Sequence, residues 1–179
     1  EARVATEAEA SVRGLSLDGA EIELEKAAIR ELGEALSGPV ILPDSPDYDG
    51  ARAIWNGMHD KRPALIARCL SSADVSQAVT FARERNLLTA VRGGGHSWPG
   101  KSVCDGGLMI DLAGMKNVTV DATGRTAVVE PGVTTQALQD VVEARGLFYP
   151  FAMPSPEHFA AALGELGVGS DARVVVYDS

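Results

Sequence analysis

The stretch Val91-Arg92-Gly93-Gly94-Gly95-His96-Ser97-Trp98-Pro99-Gly100 holds the densest set of groups in this sequence that could do chemistry. Three consecutive glycines carry no Cβ and tolerate positive φ, so their backbone N–H groups are free to turn toward an anion. Such a nest binds a pyrophosphate with neutral donors. Arg92, His96 and Ser97 place side-chain donors around it. Glycines alone would favour a flexible turn, and Arg92 suits either a phosphate contact or an ion pair at a strand end; the flanking donors tilt the reading toward a binding site. By itself His96 reads as a donor or capping histidine of the loop.

Other reactive side chains read as structural. Cys69 and Cys104 form neither a metal-ligand cluster nor a disulfide framework, and are expected as small core residues. His59 and His158 have no neighbours that suggest a metal site or a triad, and are expected at the surface. Trp98 is expected to pack over the loop, and Glu21, Glu23 and Glu25 to form a solvated helix face.

The elements that must position the glycine stretch are those of an α/β unit. Ala64 to Ala67 is a short apolar run of buried-strand type. Ser72 is the expected N-cap of a helix, with Asp74 in its first turn and Val75, Ala78, Val79 and Ala82 at helical spacing. Leu87 to Val91 is a second strand. Strand, helix, strand predicts a parallel pair with a right-handed crossover, and the glycines then fall at the end of a buried strand, where α/β sheets bind ligands. Upstream, the first twenty residues are expected to be a frayed lead-in, followed by a helix from Ala20 to Leu36, an extended run from Val40, and a short helix from Gly50 to His59. Downstream, Leu108 to Leu112, Val118 to Val120 and Thr126 to Val129 are expected strands, the last two joined by a turn into an antiparallel hairpin. A helix from Thr134 to Arg145, stopped by Gly146, follows. The tail offers a helix from Glu157 to Leu166 and a strand from Arg173 to Tyr177.

Composition narrows the partners. The chain has 179 residues, 45% hydrophobic and 23% charged, as ordinary globular proteins do. Its 16 Lys and Arg stand against 25 Asp and Glu, a net charge of −9, which disfavours nucleic acid and anionic membranes as partners. No segment reads as a signal peptide or a membrane span, so a cytoplasmic location is expected.

The segment Arg92-Gly93-Gly94-Gly95-His96-Ser97, followed by Gly100 and by Val103-Cys104-Asp105-Gly106-Gly107, resembles the flavin-binding motif of FAD-linked oxidases. Within them it is most similar to the berberine-bridge-enzyme-like group, whose FAD-binding domain is of the vanillyl-alcohol-oxidase/PCMH type. Trp55-Asn56-Gly57-Met58, the run from Arg62 to Cys69, Asp111-Leu112 and Glu130-Pro131-Gly132-Val133 fit the same pattern, so the resemblance runs from Val40 to Leu147. It implies an α+β fold in which a small parallel βαβ subdomain precedes an incomplete antiparallel-strand subdomain. It implies FAD, with the backbone of Gly93, Gly94, Gly95, His96 and Ser97 on the pyrophosphate and Arg92 beside it. His96 matches the histidine that many members join to the 8α-methyl group of the flavin; non-covalent binding is the alternative. The implied activity is that of an oxidoreductase, taking a hydride from an alcohol, sugar or alkaloid-like substrate and passing the electrons to oxygen.

Beyond Leu147 the pattern departs from the family, and three segments are expected: a lead-in and helix over 1–38, a partial FAD-binding domain over 39–147, and a divergent tail over 148–179. The second glycine-rich segment and the substrate domain are expected to be missing, so no residue is given a catalytic or metal-binding role, Tyr149 and Tyr177 included. The tail, from Met153 through Tyr177, is similar to a rhodanese-type sulfurtransferase segment, although neither Cys69 nor Cys104 sits in a persulfide-cradling loop. The expectation is a fragment of an FAD-binding oxidoreductase. The alternatives are a truncated or recombined chain with weak or no FAD binding, and a rhodanese-related protein.

Overall fold

A computed structural model describes residues 11–149, and the rhodanese-like tail, with His158 and Tyr177, lies outside the described residues. In chain order the elements are β1 (Ser11–Leu15), β2 (Glu21–Glu25), α1 (Lys26–Ala35), β3 (Val40–Ile41), α2 (Tyr48–Arg52), β4 (Leu65–Arg68), α3 (Ser72–Glu84), β5 (Thr89–Arg92), β6 (Leu108–Asp111), β7 (Val118–Asp121), β8 (Thr126–Val129) and α4 (Thr135–Glu143). The chain divides into two units, one ending at Gly114 and the other beginning at Met115.

The first unit is organised around a four-stranded sheet of order β3-β4-β6-β5. Its centre is β6, whose four residues are all buried, as a strand flanked on both edges and covered on both faces must be. Leu65, Ile66, Leu108 and Met109 are wholly excluded from solvent. Burial of each such side chain contributes about 1.5–3 kcal/mol. β4 and β5 both run parallel to β6, and β3 closes the β4 edge antiparallel. The expected parallel unit is therefore present with one correction: β4 and β5 are not neighbours, because β6 lies between them. Under the sheet, Tyr48 and Ala51 of α2 pack with Ile41, Ile66, Val103 and Met109, and the Tyr48 hydroxyl donates to the Pro63 carbonyl at 2.6 Å. That bond removes the cost of burying the hydroxyl. Arg52 and Arg62 lie over the same ring, 5.9 and 5.2 Å from its centre.

The start of the chain differs from expectation. Ser11–Leu15 is not a frayed lead-in but a strand paired antiparallel with Glu21–Glu25. Leu15 N donates to Gly106 O at 2.7 Å and Leu88 N to Leu15 O at 2.8 Å, which ties this hairpin to the chain around the main sheet. Glu21-Ile22-Glu23-Leu24-Glu25 alternates with period two, so the three glutamates form the solvent face of a strand rather than of a helix, and α1 begins only at Lys26. The helix expected over Gly50–His59 is instead α2 at Tyr48–Arg52, and residues 53–59 are irregular. The N-cap of α3 is Ser71, one residue before the expected Ser72; its Oγ accepts from Asp74 N at 3.2 Å.

In the second unit β7 and β8 form the expected antiparallel hairpin, with Asp121 Oδ1 accepting from Thr123 N and Gly124 N, both at 3.0 Å, in its turn. Helix α4 lays Leu138 and Val142 against Ala127, with Val118, Val120, Val129 and Val133 around them. Thr134 caps its start through a 3.2 Å bond from Ala137 N, and Gly146, at φ +69°, follows its end.

Candidate functional site

Three strand ends build the floor of the site. Arg68 on β4, Asp111 on β6 and Arg92 on β5 are in register, so the sheet projects them from one face at its carboxyl end. The Asp111 side chain is almost wholly buried, 3.1 Å from Arg68 Nε and 3.9 Å from an Arg92 Nη. Its other oxygen accepts from Ala113 N at 3.1 Å. The same Arg92 nitrogen donates to the carbonyl of Ala51, which α2 holds on this face. Arg92 thus forms the ion pair that sequence reasoning weighed for it. Its Nε, however, is buried and makes no hydrogen bond. A buried guanidinium N–H without a partner is costly, and such exceptions occur where a ligand completes the site.

From this floor the chain enters the glycine stretch. Gly95 is buried at φ +72°, in the left-handed region that strains residues with a side chain. Gly94 lies beside the exposed His96 ring, where an added Cβ would approach Cδ2 to 3.1 Å. Among the described residues, the backbone N–H groups of Gly93, Gly94, Gly95, His96 and Ser97 donate to no protein group. The loop's carbonyls and the Ser97 hydroxyl are nevertheless engaged. Trp55 N donates to Gly95 O at 3.1 Å, Gly100 N to Ser97 O at 3.1 Å, and Lys101 N to Ser97 Oγ at 3.0 Å. The loop is therefore held through its acceptors while a run of its donors stays open.

The segment after α2 supplies most of that hold. Asn56 Nδ2 donates to Trp98 O at 2.9 Å, and His59 Nε2 lies 3.2 Å from the same oxygen. The His59 ring also fills the space beside Gly100. Trp55 stacks on His96, with ring centres 6.0 Å apart and planes 25° apart, and meets Trp98 at 5.7 Å and 40°.

All six residues singled out by sequence, Arg92, Gly93, Gly94, Gly95, His96 and Ser97, thus occupy one continuous loop at the carboxyl end of β5. His59, expected at the surface with no site role, braces this loop, and Trp98 is largely exposed and meets the Trp55 ring. Sequence reasoning gave Asp111, Arg68, Asn56 and Ala51 no place in the site. The first two were signalled by equal position at the ends of three strands; Ala51 enters through a backbone carbonyl of α2, and Asn56 through an irregular segment. Cys69 and Cys104 are buried, and burial, reinforced at Cys69 by Asp74 and Asp111, pushes both thiols up to about 11. They are core residues, as expected. Among the described residues no cluster could hold a metal ion, and no helix is long and apolar enough to cross a membrane.

Comparison with known proteins agrees with this geometry. The family described as FAD binding domain matches residues 63–175. (R)-6-Hydroxynicotine oxidase of Paenarthrobacter nicotinovorans is 36% identical over 135 residues, which is 75% of this chain and 30% of that protein. The crystal structure of 6-hydroxy-D-nicotine oxidase from Arthrobacter nicotinovorans superposes with a TM-score of 0.59 at 39% identity, covering 62% of this chain and 24% of that one. A BBE-like protein of Physcomitrella patens superposes with a TM-score of 0.53 at 28% identity, covering 57% of this chain and 22% of that one. The chain spans less than a third of the length of each of these proteins.

Proposed function

The chain belongs to the FAD binding domain family of FAD-linked oxidoreductases, and on that premise we propose that Arg92 to Ser97 hold the diphosphate of FAD. The observation that carries this reading is the run of open backbone donors from Gly93 to Ser97, at the carboxyl end of a buried parallel strand. Neutral amides suit a diphosphate in a chain of net charge −9, because they add no partner for the surrounding carboxylates. Arg92 adds one cation, with its unpaired Nε beside Gly95. The residues present therefore fit the cofactor.

Flavin, when bound, supplies a two-electron acceptor. His96 is the residue we assign to covalent attachment: its ring is exposed at the loop surface and engages in no hydrogen bond among the described residues. Asp111 acts behind the loop, pairing with Arg92 and holding it in place, and Arg68 pairs with the same carboxylate. Bound in a complete protein of this family, the cofactor would oxidise a small molecule, and the 39% identity to a hydroxynicotine oxidase favours an alkaloid-like substrate over an alcohol or a sugar, with oxygen taking the electrons.

Acid precipitation of the purified chain, supplied with FAD, tests the reading. Yellow pellet that turns colourless in His96→Ala supports both the site and the tether. Colour confined to the supernatant supports the site with non-covalent binding. A folded chain that retains no flavin in either fraction overturns the assignment.

A further inference from the structure

Trp55 lies in a segment that resembles the family but outside residues 63–175, which the FAD binding domain matches, and the cofactor reading gives it no task. It is 61% exposed, so burial of its large ring does not account for its place in the fold. Its contacts point elsewhere. The Trp55 N–H donates to Gly95 O, inside the glycine run, and its indole stacks on the imidazole of His96. The residues around it grip the same loop: Ala51 O accepts from Arg92, and Asn56 and His59 both reach Trp98 O. Among the described residues nothing hydrogen-bonds to the His96 ring, so the indole on one side and the backbone of Gly94 beside it are what orient the imidazole.

We propose that Trp55 is a positioning residue of the flavin site: its indole fixes the His96 imidazole, and the Ala51–His59 segment that carries it shapes the glycine loop before the cofactor binds. The proposal rests on the cofactor site described above, but its first half concerns only this chain's own side chains. An offset aromatic stack favours one ring orientation over the others that an exposed histidine samples. A loop already shaped loses less freedom when it takes up a ligand, so binding is tighter.

The test uses the full chain as wild type, Trp55→Ala and Trp55→Phe, with folding checked by thermal unfolding. In the FAD-free protein, the His96 ring protons are identified in NMR spectra by their loss in His96→Gln. An indole stacked on the imidazole shields them, so they move downfield in Trp55→Ala and return most of the way in Trp55→Phe. FAD titration, followed by flavin fluorescence, should show Kd rising about fivefold in Trp55→Ala and recovering to within about twofold in Trp55→Phe, in line with loss and rescue of one stacked aromatic pair. A folded Trp55→Ala with unmoved His96 signals, or with wild-type FAD affinity, overturns the proposal. If the wild type binds no FAD, the cofactor reading itself fails; the NMR comparison then still decides whether Trp55 positions His96.

Discussion

β4 and β5 flank β6 on either side, and the loop that leaves each of them handles its backbone donors in opposite ways. After β4 the chain supplies its own anion. The buried Asp74 carboxylate accepts from Leu70 N at 2.8 Å, Ser37 N at 3.0 Å and Ser37 Oγ at 3.1 Å, while Asp74 N is capped by Ser71. After β5 the donors of Gly93 to Ser97 find no carboxylate and no carbonyl among the described residues. The first loop is closed and serves stability. The second leaves its donors without an internal acceptor among the described residues. Two turns at equivalent places on one sheet thus differ in whether the sequence provides an internal acceptor, and the proposed diphosphate site is the turn without one.

Substitutions should split along the same line. Asp111→Ala should have the largest effect, because it leaves Arg68 and Arg92 facing a buried gap; about 3 kcal/mol of stability is expected to go, measured by urea unfolding, together with FAD binding. Asp74→Ala should cost about 2 kcal/mol by unfastening Leu70 and Ser37, yet leave FAD affinity of the folded fraction unchanged. A loss of affinity there would break the contrast between the two loops.

Asp74 also carries a pH signature. Burial pushes its carboxyl up, but the bonds from Leu70 and Ser37 outweigh this and hold it below the usual carboxylate range. Its stabilisation is therefore complete above the unfolded value of about 3.9, and is lost as pH falls through the lower folded value. Thermal midpoints of wild type and Asp74→Asn should converge as pH drops through that range, and parallel curves would count against the assignment.

At the open loop the effects on stability shrink. Gly95→Ala should cost about 1 kcal/mol, since alanine resists φ +72°, but should weaken FAD binding about tenfold or more by reshaping the run of donors. His96→Ala should change stability by less than about 0.5 kcal/mol, within the range of an exposed substitution, while removing flavin from the acid pellet.

How much of this was legible in the sequence depends on whether the signal was local. The β4, α3, β5 and β6 segments showed themselves through short apolar runs and a helical stripe, and the glycine loop through composition. The β1–β2 pair did not, because both strands are short and the second is glutamate-rich and runs straight into a helix; the period-two alternation from Glu21 to Glu25 was the available signal. The clasp from Ala51 to His59 was missed for a different reason. It uses backbone carbonyls and irregular chain, and only tertiary contact places Asn56 and His59 on Trp98 O. Asp111 was hidden by the strand order: nothing in the sequence sets β6 between β4 and β5, and that insertion brings both arginines to one carboxylate.

The same insertion governs the order of events during synthesis. When the ribosome has released Arg92, both outer parallel strands exist but the strand that joins them does not, since Leu108–Asp111 emerges later. Neither Thr89–Arg92 nor the loop behind it has a parallel partner to pair with until then, and contacts this distant in sequence form late. The strand that leads into the glycine loop is thus paired only by chain that follows it. Pulse-labelled hydrogen exchange during refolding should find the amides of β5 gaining protection together with those of β6; protection of β5 in an earlier phase would show that the loop is shaped before its central strand arrives.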